Sequence, residues 1–144
     1  MGRINWSRVI RGGLLWAIVY SVLGAVAMGL FLGREFMQEL QALGRPLQPT
    51  NERIIFLAIF GVVFTVLWGI SAIWLYAAIR PRYGPGPKTA VIVGFAIWFL
   101  SILTSDSHLR VFGLVSTRFV VIDVPTELVL ILAATLAGAW QYKE

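Results

Sequence analysis

The sequence predicts an all-α protein, a bundle of four transmembrane helices, and three observations lead to this. Apolar residues make up 58% of the 144 residues and charged residues 13%, whereas soluble domains have about 45–50% and about 25%. The mean hydropathy is +0.81. Charged residues delimit four apolar stretches, each close to the roughly 20 residues that a helix needs to cross a bilayer. We therefore expect a single membrane domain over 1–144.

The charges that delimit these stretches also set the expected helix boundaries. The fourth helix is taken to start early, because the apolar run 119–122 would otherwise lie in water and Ser116 can serve as its N-cap. Pro125 then falls inside this helix and predicts a kink. The four helices are expected over about 9–33, 54–79, 89–105 and 117–142.

The connections between the spans have distinct patterns. In the first, Phe36, Leu40 and Leu43 recur on one helical face, which predicts a short amphipathic helix over about 35–43 on or just above the membrane. The second, 80–88, holds three prolines and two glycines and predicts a tight turn. Its cations, which are candidates to contact anionic lipid headgroups, are Arg80, Arg82 and Lys88.

The distribution of basic residues predicts that both termini are cytoplasmic. The side that holds the termini carries seven of the twelve basic residues: Arg3, Arg8, Arg11, Arg80, Arg82, Lys88 and Lys143. Lys and Arg are enriched in cytoplasmic loops of membrane proteins. The same distribution accounts for the pI near 10.2, so no nucleic-acid partner is expected.

Small residues recur at every fourth position of the first span, and we call this stripe the small-residue ladder. Its members are Gly13, Ala17, Ser21, Ala25, Gly29 and Gly33, and the second span adds Gly61 and Gly69. Small residues four apart let helix backbones approach closely in lipid. The ladder either holds the chain's own helices together or docks another protein. Because such a stripe winds by about 40° per step, one end could pack internally while the other meets a partner.

Two carboxylates lie within the fourth span. Asp123 and Glu127 are four residues apart and share a helix face. Acids inside a span are costly and are candidates for function: they could bind a cation, carry a proton or pair with an arginine of another subunit. Alternatively, Asp123 lies at the water boundary, and Glu127 bonds near the Pro125 kink or pairs with Arg118 or Arg110 of its own chain.

Several chemistries are missing from the sequence. There is no cysteine and only one histidine, so thiol catalysis, disulfides, Cys-based zinc sites and a bis-His haem within one chain are excluded. His108 is expected to be a solvated loop residue. No Ser–His–Asp set and no Gly-rich nucleotide loop is recognisable, so we expect neither an enzyme nor a cofactor.

Three segments carry a resemblance to a known kind of protein: NWSRVIRGG at 5–13, WLYAAIRPRYGPGPKTA at 74–90 and ATLAGAW at 134–140. They resemble features of a family of small bacterial four-helix membrane proteins without a characterised function. The resemblance covers most of the chain. It implies a bacterial inner (cytoplasmic) membrane protein with one long fourth helix, and no activity or ligand. The chain departs from it at Asp123 and Pro125, where small or apolar residues are expected.

Two functions are compatible with these features. The first is a non-enzymatic accessory or structural subunit that packs against a larger membrane complex, with membrane lipids and other membrane subunits, or copies of itself, as partners. The second is a small homo-oligomeric transporter or channel that uses the carboxylates of the fourth helix. A lipid-binding role has only the basic turn in its favour.

Overall fold

The computed structural model describes residues 4–44 and 51–142, except the side chains of residues 53, 54 and 57. The described part consists of helices and short connections, and its elements are α1 (Trp6–Ala27), a first π turn (Met28–Leu32), α2 (Gly33–Ala42), α3 (Asn51–Tyr83), α4 (Pro87–Trp98), a second π turn (Phe99–Leu103), α5 (Thr104–Val111) and α6 (Thr117–Gln141). Four stretches are long and apolar enough to cross a membrane: Trp6–Ala42, Ala58–Tyr83, Pro87–Val111 and Thr117–Gln141. The prediction of an all-helical chain with four membrane-length helices is confirmed.

The first helix is longer than expected, because α2 continues α1 instead of lying apart as a surface helix. The first π turn joins them, and Gly33 keeps helical dihedrals there, with φ −59° and ψ −36°. The continuous stretch has 37 residues, or about 55 Å at 1.5 Å per residue. A hydrocarbon core is only about 30 Å thick, so the polar α2 extends beyond it. The amphipathic pattern of 35–43 belongs to this extension.

The two ends of the bundle differ, and we name them by the chain. The termini end holds Asn5, the turn between α3 and α4, and Tyr142. The turn is closed by two glycines in the left-handed region, Gly84 with φ +83° and Gly86 with φ +124°, and Pro87 opens α4. The far end holds α2, α5 and the start of α6.

The half of the bundle near the termini end is closely packed. The fully buried side chains include Trp16, Ile73, Val93 and Ile131, which join α1, α3, α4 and α6 in one core. The backbones of α1 and α3 touch here, since a Cβ atom on Gly69 would meet the Gly13 carbonyl. Close packing of small residues stabilises this half, as in other membrane bundles.

The far half of α3 stands apart from the bundle. Val66 is the last residue of α3 toward the far end that packs against the core. Beyond it, the large apolar side chains that the structure describes are exposed: Ile55, Phe56, Ile59, Phe60, Val62, Val63 and Phe64. Over the same length α1 and α2 stay with α6. A space that we call the α1–α3 opening therefore separates the far half of α3 from the rest.

Candidate functional site

A row of polar contacts joins α1 and α2 to α6 along their whole length and sets the position of the acids on α6. From the termini end to the far end, the pairs are Asn5–Tyr142, Trp16–Thr135, Tyr20–Glu127, Glu35–Arg118 and Glu39–Ser116. Ser116 is also the N-cap of α6, where its hydroxyl accepts from the Phe119 N–H at 3.1 Å. The continuous helix formed by α1 and α2 is thus fixed in register with α6 over the full span.

Glu127 is held by a tyrosine of α1. The Tyr20 hydroxyl donates to Oε2 of Glu127 at 2.8 Å, and the Tyr20 ring stacks on Trp16 with centroids 4.9 Å apart. Arg118 pairs instead with Glu35 at 2.7 Å, and Arg110 donates to the Thr117 hydroxyl at 2.8 Å. Tyr20 was not predicted as a site residue, although a phenol inside an apolar span needs a polar partner.

Asp106 completes a cluster with the two predicted acids. It is only 8% exposed and lies on α5, which packs against α6 near Asp123. Oδ2 of Asp106 is buried without a donor. We call Asp106, Asp123 and Glu127 the carboxyl cluster.

The position of Asp106 could not be predicted from its charge alone. In the sequence, Asp106 is the charged residue that follows the third apolar stretch, so it is expected just beyond the end of the helix over 89–105. In the structure the helix continues through the second π turn to Val111, and this continuation buries Asp106. Beside the cluster, Trp98 donates from Nε1 to the Val124 carbonyl at 2.8 Å, next to Pro125. The π turn between Trp98 and Asp106 therefore fixes which side of the helix both residues present to α6.

The interior between the carboxyl cluster and the termini end is closed. Ile73, Val93 and Ile131 are fully buried there. The polar groups of this layer are satisfied internally, since Trp16 donates to the Thr135 hydroxyl at 2.9 Å and Thr135 donates to the Ile131 carbonyl at 2.7 Å. Among the described residues, no continuous row of titratable groups leads from the cluster through this layer.

The small-residue ladder divides into two parts. Gly13, Ala17 and Gly69 are buried in the closed half. The remaining members of the ladder and its continuation on α3 lie in the far half: Ser21, Ala25, Gly29 and Gly61 are exposed, and Gly33 is half-buried. A Cβ atom on Gly29 or Gly61 would meet no atom within 4 Å. The close helix packing that the pattern predicts is thus present at one end only.

A cavity lies at the termini end, beside the turn between α3 and α4. This cavity of about 620 Å³ lies between the end of α3, the turn, the start of α4 and the end of α6, and Arg80 is part of its wall. The Arg80 guanidinium lies 5.7 Å from the centroid of the Tyr142 ring. Arg82, in the last turn of α3, and Lys88, in the first turn of α4, are exposed. Only one of the three predicted headgroup cations therefore lines the cavity.

Comparisons with family models, curated proteins and solved structures gave no match to this chain. The resemblance carried by the segments 5–13, 74–90 and 134–140 stays an expectation. Among the described residues, no group of three or more His, Cys, Asp or Glu side chains has the geometry to hold a metal ion.

Proposed function

We propose that this protein is a non-enzymatic subunit of a larger membrane assembly and that a transmembrane helix of a partner lies in the α1–α3 opening. The observation that carries the proposal is the division of the small-residue ladder, closed at Gly13 and Gly69 and open at Ala25 and Gly61. Exposed apolar side chains alone would be satisfied by lipid. Exposed small residues four apart are favoured where another helix backbone approaches.

The absence of cysteine allows a direct test with single introduced cysteines. We expect Ala25→Cys and Gly61→Cys, each labelled with a thiol-reactive benzophenone that inserts into C–H bonds on irradiation, to cross-link to one partner of fixed mass in native membranes. Leu100→Cys is the matched control, because Leu100 is apolar and 72% exposed but lies on the second π turn, away from the opening. Equal cross-linking at all three positions, or none at any, would overturn the proposal.

A variant that fills the opening tests the same proposal without chemical modification. Ala25→Leu adds bulk where the side chain is exposed and should leave the bundle folded. We expect it to abolish co-purification with the partner in gentle detergent, while Leu100→Ala leaves co-purification intact. Unchanged co-purification of Ala25→Leu would count against a helix in the opening.

For orientation, we propose that both termini lie in the cytoplasm of a bacterium, with the protein in the inner membrane. The excess of basic residues near the termini supports the orientation, and the family resemblance supports the location. With an impermeant thiol reagent on intact spheroplasts, Leu114→Cys at the far end should be labelled and Tyr83→Cys at the termini end should not. The reverse pattern would invert the topology.

A second candidate function is transport by a homo-oligomer, favoured by the gathering of Asp106 with Asp123 and Glu127. Because the core below the cluster is closed within one copy, a path would have to run between copies. Proton or cation flux into proteoliposomes that falls in Glu127→Gln would support this function. Flux that is absent, or equal in Glu127→Gln and in the lipid-facing control Val129→Ala, would exclude it. In the cross-linking experiment, a product at twice the protomer mass would favour this candidate.

A further inference from the structure

We propose that the cavity at the termini end is a binding site for one anionic phospholipid, with the phosphate at Arg80 and an acyl chain along the apolar wall. The cavity of about 620 Å³ falls in the range of roughly 300–1,000 Å³ typical of ligand pockets. Its wall is formed largely by apolar side chains, including Ala90, Leu136, Ala139 and Trp140, and its polar groups are concentrated at Arg80, Tyr76 and Tyr142. This division of polar and apolar lining matches an amphipathic molecule.

The cavity lies at the depth of the headgroups. Two of the membrane-length helices end beside it, at Tyr83 and at Gln141. Trp140 is 64% exposed and stands at the level where aromatic side chains mark the boundary between hydrocarbon and water. A ligand in the cavity therefore has its polar part at the interface and its apolar part in the hydrocarbon.

Arg80 is held in place by an aromatic framework. Its guanidinium lies 5.7 Å from the Tyr142 ring centroid, and Tyr142 packs edge-on against Tyr76 with centroids 6.1 Å apart. The Tyr76 hydroxyl accepts the Gly86 N–H at 3.1 Å, which ties the framework to the turn. A guanidinium with a fixed plane is suited to bidentate binding of phosphate oxygens, and less conformational freedom is lost on binding.

The charge around the cavity selects an anion. Arg82 lies with Arg80 in the last turn of α3, and Lys88 lies in the first turn of α4. The side that holds the termini carries seven basic side chains and one acidic side chain, Glu144. Basic clusters beside transmembrane helices attract anionic lipids at about 1 kcal/mol for each cation near the surface. A small anion such as free phosphate would satisfy the charge and leave the apolar wall uncovered, so the lining favours a lipid over a soluble ligand.

The test is native mass spectrometry of the purified full chain in detergent, titrated with phosphatidylglycerol, phosphatidylcholine or inorganic phosphate. We expect one phosphatidylglycerol to bind in preference to phosphatidylcholine. Arg80→Gln should weaken that binding by about ten-fold, the loss expected for a charge-assisted hydrogen bond. Arg82→Gln removes the same charge from the last turn of α3, outside the cavity, and should change phosphatidylglycerol binding by less than about two-fold.

A second variant keeps the proposal testable if Arg80→Gln fails to fold. Leu136→Trp narrows the apolar wall without changing charge, and we expect it also to lower phosphatidylglycerol binding. Equal losses in Arg80→Gln and Arg82→Gln would reduce the effect to general surface charge and overturn the site. Equal binding of phosphatidylcholine, or displacement of the lipid by millimolar inorganic phosphate, would overturn it too.

Discussion

The pair Gly69→Ala and Gly61→Ala tests whether the bundle is closed at one end and open at the other. Both changes add one methyl group to the same helix, eight residues apart. At Gly69 the new Cβ would meet the carbonyl of Gly13 on one side and Trp16 Cε3 at 3.2 Å on the other. Because the first of these is backbone, no side-chain rotation relieves the collision and α1 and α3 must separate.

The expected magnitudes follow from this geometry. Overpacking of a filled interior costs about 1–3 kcal/mol, and a backbone collision belongs at the upper end, so we expect Gly69→Ala to lose about 2–3 kcal/mol of unfolding free energy. At Gly61 the methyl meets nothing within 4 Å. There the higher helix propensity of alanine applies, so Gly61→Ala should change stability by between zero and about 1 kcal/mol of stabilisation.

The assay is reversible unfolding of the purified protein in mixed micelles with increasing dodecyl sulfate, followed by the fluorescence of its six tryptophans. The reasoning is refuted if Gly61→Ala destabilises as much as Gly69→Ala, since both glycines would then be packed. It is refuted equally if Gly69→Ala has wild-type stability. Partner co-purification of the folded Gly61→Ala variant then separates docking from folding.

Two further predictions concern the polar pairs between α1–α2 and α6. Thr135→Val removes the acceptor of the buried Trp16 indole and should lower the free energy of unfolding by about 1–2 kcal/mol in the same assay. The control Thr104→Val loses only an exposed hydrogen bond to the Phe99 carbonyl and should cost less than about 0.5 kcal/mol. Equal losses would show that the Trp16 hydrogen bond is not the cause. Glu35→Gln weakens a pair whose Arg118 side chain is 70% exposed, so we expect a loss below about 1 kcal/mol that shrinks further at high salt; a larger loss would mean that Glu35 supports more than this pair.

The spans could be predicted from the sequence because a membrane imposes a length and a polarity that composition reveals directly. The helix ends could not be predicted in the same way. Gly33 reads as a boundary beside Arg34, yet no proline or left-handed glycine stops the helix there, and it runs on to Ala42. Asp106 likewise reads as the end of a span, whereas the second π turn carries the helix past it and buries it. A charged residue marks the edge of an apolar stretch, but it does not end the backbone hydrogen bonding of the helix.

The residues of the candidate sites could likewise be predicted from the sequence only in part. Asp123 and Glu127 are recognisable because acids are rare in apolar spans, but their partners Asp106 and Tyr20 depend on helix rotation and register, which no local pattern encodes. Arg80, Arg82 and Lys88 look equivalent in the sequence, and only the fold places Arg80 in the cavity wall.

The small-residue ladder shows why one pattern can have two consequences. Gly13 and Gly29 belong to the same stripe, but α1 follows α6 over its whole length while α3 follows α1 only as far as Val66. The ladder residues that face α3 near the termini end are therefore enclosed. The ladder residues nearer the far end are not covered by α3. If the ladder served only the packing of this chain's own helices, small residues would not be needed beyond Ala17. They leave a groove there that larger side chains could fill while facing lipid. Their presence at Ser21, Ala25 and Gly29, with Gly61 across the α1–α3 opening, is the feature that a second helix would account for.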